Sequence, residues 1–168
     1  MLRDTHPTMD PSPYLDATSR ALRRLQIAGA AIIGLSAALA DASNGGYRTG
    51  FAASLAGGGA LMLVGGIMFA AKLPALRGSF AAFAGPQDAA AHALDEIAGF
   101  RRSIAIQALV AVAAVALVLG LSSAPFARGL LSGGLVILAM TVLVDHAAIR
   151  RASSLIEPNF IPCETRDD

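Results

Sequence analysis

Charged residues punctuate this chain at wide intervals, and the intervals carry the signal. No Asp, Glu, Lys or Arg interrupts Gly50 to Ala71 or Ser103 to Ala127. Two shorter uncharged runs, Leu25 to Ala40 and Gly129 to Val144, flank them. A helix needs about 20 apolar residues to cross a bilayer core, and both long runs qualify. A soluble bundle would need a polar face along every helix, which these runs lack. The pattern predicts an all-α, integral membrane four-helix bundle, readable also as two tandem transmembrane helical hairpins. The expected spans are about 23–41, 50–72, 102–123 and 127–147, within a transmembrane domain covering 13–154.

The first and last runs hold 16 uncharged residues each, roughly 24 Å of helix. That is short of a core of roughly 30 Å. Arg23 and Arg24 can snorkel from the first, and Asp145 and His146 sit at the edge of the fourth. Each weaker span is expected to insert with its stronger neighbour.

Outside the spans, 1–12 reads as a disordered cytoplasmic tail and 155–168 as a second cytoplasmic tail, with the helix expected to stop before Pro158 and disorder from Glu164 to Asp168. Ser12-Pro13 reads as a helix start, Gly85-Pro86 as a break and restart, and Pro74 as a kink or stop in span two. The stretch 73–101 is expected to form a cytoplasmic helical loop. Its Ala90, Leu94, Ile97 and Ile104 share one face, and Asp88, Asp95 and Glu96 turn to water or a partner.

Charge adds orientation. Of 13 Lys and Arg residues, eleven lie before span one, between spans two and three, or after span four; only Arg48 and Arg128 lie on the other side. The positive-inside rule then places both termini in the cytoplasm. Phe69 and Phe100 mark the inner boundary, and Tyr47, Phe51 and Phe126 the outer. Arg23-Arg24 before an apolar run ending Ala38-Leu39-Ala40 also has the outline of an export signal. The long polar region ahead of it and the matching second hairpin argue for retention.

Residues 51–79 align without gaps to 126–154, with seven of 29 positions identical, including Phe51-Ala52 with Phe126-Ala127 and Gly58-Gly59 with Gly133-Gly134. A duplication would relate the hairpins by a pseudo-twofold axis along the membrane normal. In this Ala- and Gly-rich composition, chance similarity is the competing explanation.

Small residues dominate the expected packing faces, since helices in lipid associate by close backbone approach. Span one presents Gln26, Ala30, Gly34 and Ala38; span two Gly57, Gly58, Gly59, Gly65 and Gly66; span four the pair Gly129 and Gly133. These faces either build the bundle or dock onto another protein or a second copy.

Candidate chemistry is sparse. Gln26 and Gln107 are the polar side chains nearest membrane depth, and Asp145-His146 the ionisable pair at a span edge. Gln26, Gln107 and Asp145 form a candidate polar pathway. The plainer expectation is an interhelical hydrogen bond for the glutamines and an interfacial Asp145 facing Lys72. Thr141, Ser36 and Ser132 are expected to bond back to their own helices. His146 lacks a second histidine in a facing span to share a haem, and His6 and His92 read as solvent-facing. Cys163 is the only cysteine, a free thiol that excludes an intrachain disulfide. No phosphate loop, zinc-protease or serine-hydrolase motif occurs. No catalytic residue, cofactor or metal is therefore assigned, and the short juxtamembrane basic clusters suit lipid headgroups better than nucleic acid.

The stretch Leu76 to Gln107, with Phe80, Phe83, Gly85 and Arg101-Arg102, and the tail Arg150 to Phe160 resemble small uncharacterised bacterial four-span inner-membrane proteins. That resemblance implies no activity. The Ala-, Gly- and Arg-rich composition suits a GC-rich bacterium. The functional expectation is a non-catalytic accessory or scaffold subunit that packs small-residue faces against a larger inner-membrane complex or itself. The alternative is a small oligomeric transporter or channel.

Overall fold

A computed structural model describes residues 12–41, 45–81, 86–120 and 124–156. They form four helices: α1 (Ser12–Asp41), α2 (Gly46–Ala81), α3 (Pro86–Gly120) and α4 (Pro125–Ser153). No strand occurs among the described residues. All four helices are long and apolar enough to cross a membrane. Helices suit that solvent because they satisfy their backbone polar groups internally.

Local chemistry sets the ends. Pro125 opens α4 after an Ala124 N-cap that supplies no side-chain bond; a proline there loses no helical hydrogen bond. At the other end Arg150 and Arg151 sit in the last turn, where cations complement the helix dipole. The chain then turns through 154–156. Helix α3 starts at Pro86 with Asp88 in its first turn, and α1 starts at Ser12. Pro74 does not end α2, which continues to Ala81. The expected loop 73–101 is therefore mostly the end of α2 and the start of α3. Residues 1–11 and 157–168, with the expectations for His6 and Cys163, lie outside the described residues.

In space the helices run α1, α2, α4, α3, each packed on the next, with a lighter touch between α1 and α4. Exchanging the two hairpins maps this order onto itself, apart from that lighter touch. The centre of the row is α2 against α4, the two helices that carry the internally similar segments.

The helices outrun the bilayer. Helix α2 has 36 residues, roughly 54 Å at the usual rise, against a core of roughly 30 Å. The excess builds a small cluster at the end of the bundle where α1 and α3 start and α2 and α4 finish, the terminal end. Tyr14 and Leu15 of α1, Phe80 of α2, Ala89 and Ala93 of α3 and Leu155 after α4 are buried together. The Tyr14 and Phe80 rings lie 5.6 Å apart. His92 sets its ring edge-on to Phe80 at 5.8 Å, so it is a half-buried packing residue and not solvent-facing. The buried face of α3 here is Ala89, Ala93 and Ile97, while Leu94 is 56% exposed. Of the expected face, Ile97 is buried and Ala90 half-buried, but Leu94 is turned outward, because it is Ala89 and Ala93 that meet the Tyr14–Phe80 pair.

Candidate functional site

Four polar side chains near membrane depth converge on one seam, between α3 and α4. Ser103 and Gln107 are four apart on α3, and Thr141 and Asp145 four apart on α4. That spacing stacks each pair on one helix face. The faces meet as a ladder of hydrogen bonds. Ser103 Oγ donates to Asp145 Oδ2 at 2.9 Å. Gln107 Nε2 donates to the same oxygen at 2.9 Å and to Ser103 Oγ at 3.0 Å. Thr141 Oγ1 lies 3.0 Å from Gln107 Oε1 and 2.8 Å from the Leu138 carbonyl.

Donor counting explains why the ladder has this order. A glutamine amide has two N–H donors and a carboxylate oxygen has none. Both Gln107 donors are used toward Ser103 and Asp145, and its carbonyl is left for the Thr141 hydroxyl. Flipping the amide would set its oxygen against the carboxylate oxygen and lose both bonds. The single Thr141 proton is shared between Gln107 and Leu138. These side chains hold one another, so the arrangement clamps α3 to α4.

Asp145 therefore takes its partners from α3 and does not face Lys72. The Lys72 ammonium instead stands 5.8 Å from the centre of the Phe69 ring, within cation–π range. Gln26 is not in the ladder. Its side chain lies in the α1–α2 seam, where a Cβ on Gly66 would come within 2.9 Å of Gln26 Cγ. The three residues of the candidate pathway thus divide between two seams. Ser36 and Thr141 bond back to Ile33 and Leu138 of their own helices.

The expected packing glycines also divide. Gly58 and Gly59 face α4 and α1, with a Gly58 Cβ colliding with Ile137 and a Gly59 Cβ reaching 2.8 Å from the Gly29 carbonyl. Gly129 lies on the Tyr47 carbonyl, and a Gly133 Cβ would come within 2.8 Å of Ser54. Gly34, Gly57 and Gly65 instead have nothing within 4 Å of where a side chain would start. On α1 the seam runs through Leu22, Gly29 and Ser36, not through Ala30, Gly34 and Ala38, which are exposed. The missed signal is a seven-residue repeat, Leu15, Leu22, Gly29 and Ser36, the spacing of a helix seam. It matches Ala52, Gly59 and Gly66 on α2.

Beyond the membrane-spanning part, Tyr14 donates its phenol to Glu96 Oε2 at 2.8 Å, joining α1 to α3. Burial pushes the Tyr14 phenol well above its ordinary value, and the Glu96 carboxylate adds to the shift. No group of three or more metal-ligating side chains occurs among the described residues. His146 is exposed on α4. Comparison with protein-family models, curated proteins and solved structures returns no match.

Proposed function

We propose that this protein is a non-catalytic subunit of a larger assembly in the bacterial inner membrane, with both termini in the cytoplasm. The observation that supports this reading is the division of its small-residue surface. One set of glycines is filled by helices of the same chain, whereas Gly34, Gly57 and Gly65 meet no neighbouring atom within 4 Å. Small residues bring helix backbones together in lipid, so open ones are points where another helix can approach. Helix α3 adds to this surface, because Leu109, Val112, Leu117 and Leu119 of its most apolar stretch are exposed.

Native mass spectrometry on the tagged protein, gently extracted from its host, tests the proposal. Stoichiometric partner proteins are expected with the wild type and lost with Gly57→Leu/Gly65→Leu, while the chain itself stays folded. Co-purification unchanged by that variant would count against docking through α2.

The alternative is a small oligomeric transporter or channel. A conduction path through Gln26, Gln107 and Asp145 would have to join two separate seams, and the last two are bonded to each other. Flux in liposomes abolished by Asp145→Asn and Gln107→Leu would favour it over the subunit reading.

A further inference from the structure

Near the terminal end, α1 and α4 part over the face of α2 and leave a cavity of about 550 Å³. That lies within the usual size of a small-molecule site, roughly 300–1,000 Å³. Its walls are apolar: Leu25 and Ala28 of α1, Met62 of α2, and Met140 and Val144 of α4. Toward the terminal end the lining turns polar and makes a basic mouth, with Thr18, Arg20 and Arg24 of α1 and Arg151 of α4. From Ala17 to Ala28 it extends roughly 16 Å along α1. Among the described residues no carboxylate forms an ion pair with any of the three arginines.

We infer that this groove binds one anionic phospholipid, its phosphate held at the arginine mouth and an acyl chain laid against the apolar walls. The argument is the order of chemistry along the groove. Three positive charges sit where the helices leave the apolar part of the chain, and no polar wall residue follows beyond them. Guanidinium groups bind phosphate oxygens in bidentate fashion, and basic pockets between helices at a membrane surface select anionic headgroups. A water-soluble anion would have no use for the apolar depth, and a neutral lipid none for the three charges. Arg101 and Arg102 lie at the same end of the bundle but do not line the groove, so they separate a built site from general attraction to an anionic surface. The inference does not depend on whether the protein is a subunit of a larger assembly.

The test is reconstitution of the full chain in vesicles of equal phosphatidylglycerol and phosphatidylcholine, then extraction and native mass spectrometry of retained lipid. One phosphatidylglycerol per chain is expected. Each Arg→Gln change at 20, 24 or 151 should weaken retention about fivefold and the triple change roughly 100-fold. Ala28→Phe, which fills the groove and leaves the charges, should also abolish retention, with Ala147→Phe as a second filling variant should the first not fold. Arg101→Gln/Arg102→Gln should retain lipid like the wild type. Equal retention of phosphatidylcholine, equal loss in the Arg101/Arg102 variant, or full retention in a folded filling variant would each overturn the inference.

Discussion

Helix α4 is held by two neighbours in two different ways. Against α2 it uses glycines: Gly129 lies on the Tyr47 carbonyl, Gly133 on the Phe51 carbonyl and Ser54, and Gly50 of α2 on the Phe126 carbonyl and the Leu130 amide. Against α3 it uses side chains: Thr141 and Asp145 bond to Gln107 and Ser103. Neither seam has a hydrophobic drive, since lipid tails are as apolar as leucine. The first gains dispersion from backbones in contact and tolerates no added atom. The second gains directional hydrogen bonds across a gap that side chains fill. Steric seams should therefore fail abruptly on substitution, and polar seams gradually.

The largest effect is expected where the backbones touch. Gly129→Leu or Gly50→Leu has no rotamer that avoids the facing main chain, because the clash begins at Cβ. The α2–α4 contact must open, at a cost above about 3 kcal/mol. Thermal unfolding in detergent should show a destabilised or unfolded protein. Gly34→Leu, made in open space, should stay within about 0.5 kcal/mol of the wild type. Similar melting temperatures for Gly129→Leu and Gly34→Leu would remove the distinction between filled and open glycines.

The ladder should respond more mildly. Gln107→Leu deletes both donors and the acceptor at the centre of the seam, whereas Asp145→Asn keeps a side chain of the same shape. Interhelical hydrogen bonds in lipid are worth on the order of 1 kcal/mol each. Losses of about 1 to 2 kcal/mol are expected for Gln107→Leu and less for Asp145→Asn. The double variant should lose less than the sum, because both changes remove the same 2.9 Å bond. Strict additivity in a double-mutant cycle would mean that the two residues do not act as a pair.

The sequence shows these seams unequally. The four helices were legible because uncharged runs of such length leave little else to form. The α2–α4 glycines were visible as residue types, but a glycine in a helix does not say which side has a neighbour. Gly58 and Gly57 are adjacent in sequence, yet one is buried against Ile137 and the other is open. The seven-residue spacing through Ala52, Gly59 and Gly66 marks the face toward α1, but it does not separate Gly58 from Gly57. Gln107 and Asp145 stood out as polar residues near membrane depth. Their partnership did not, because it depends on α3 lying beside α4, a fact of helix order that hydropathy does not encode. Ser103 and Thr141 then follow as the residues one turn away on each helix. The groove between α1 and α4 had no local signature, since its arginines come from opposite ends of the chain.

The Tyr14–Glu96 contact asks whether polar joints behave alike inside and outside the bilayer. It links α1 to α3, which otherwise stand at opposite ends of the row, and it lies in the cluster beyond the membrane-spanning part. Tyr14→Phe keeps the ring against Phe80 and removes only the donor, so a loss of about 1 kcal/mol is expected, similar to one rung of the ladder. The pH dependence separates the two. The folded phenol titrates above its ordinary value of 10.0 because it is buried and faces a carboxylate. Its contribution is thus complete below that value, where the phenol is protonated in both folded and unfolded chains. As pH rises past it, the unfolded chain releases the proton first and is favoured. The stability difference between wild type and Tyr14→Phe should therefore be constant from neutral pH to about 9 and shrink above pH 10. A difference that stays level to pH 11 would show that the phenol is solvated, and that α1 and α3 are joined by packing around Phe80 and not by this bond.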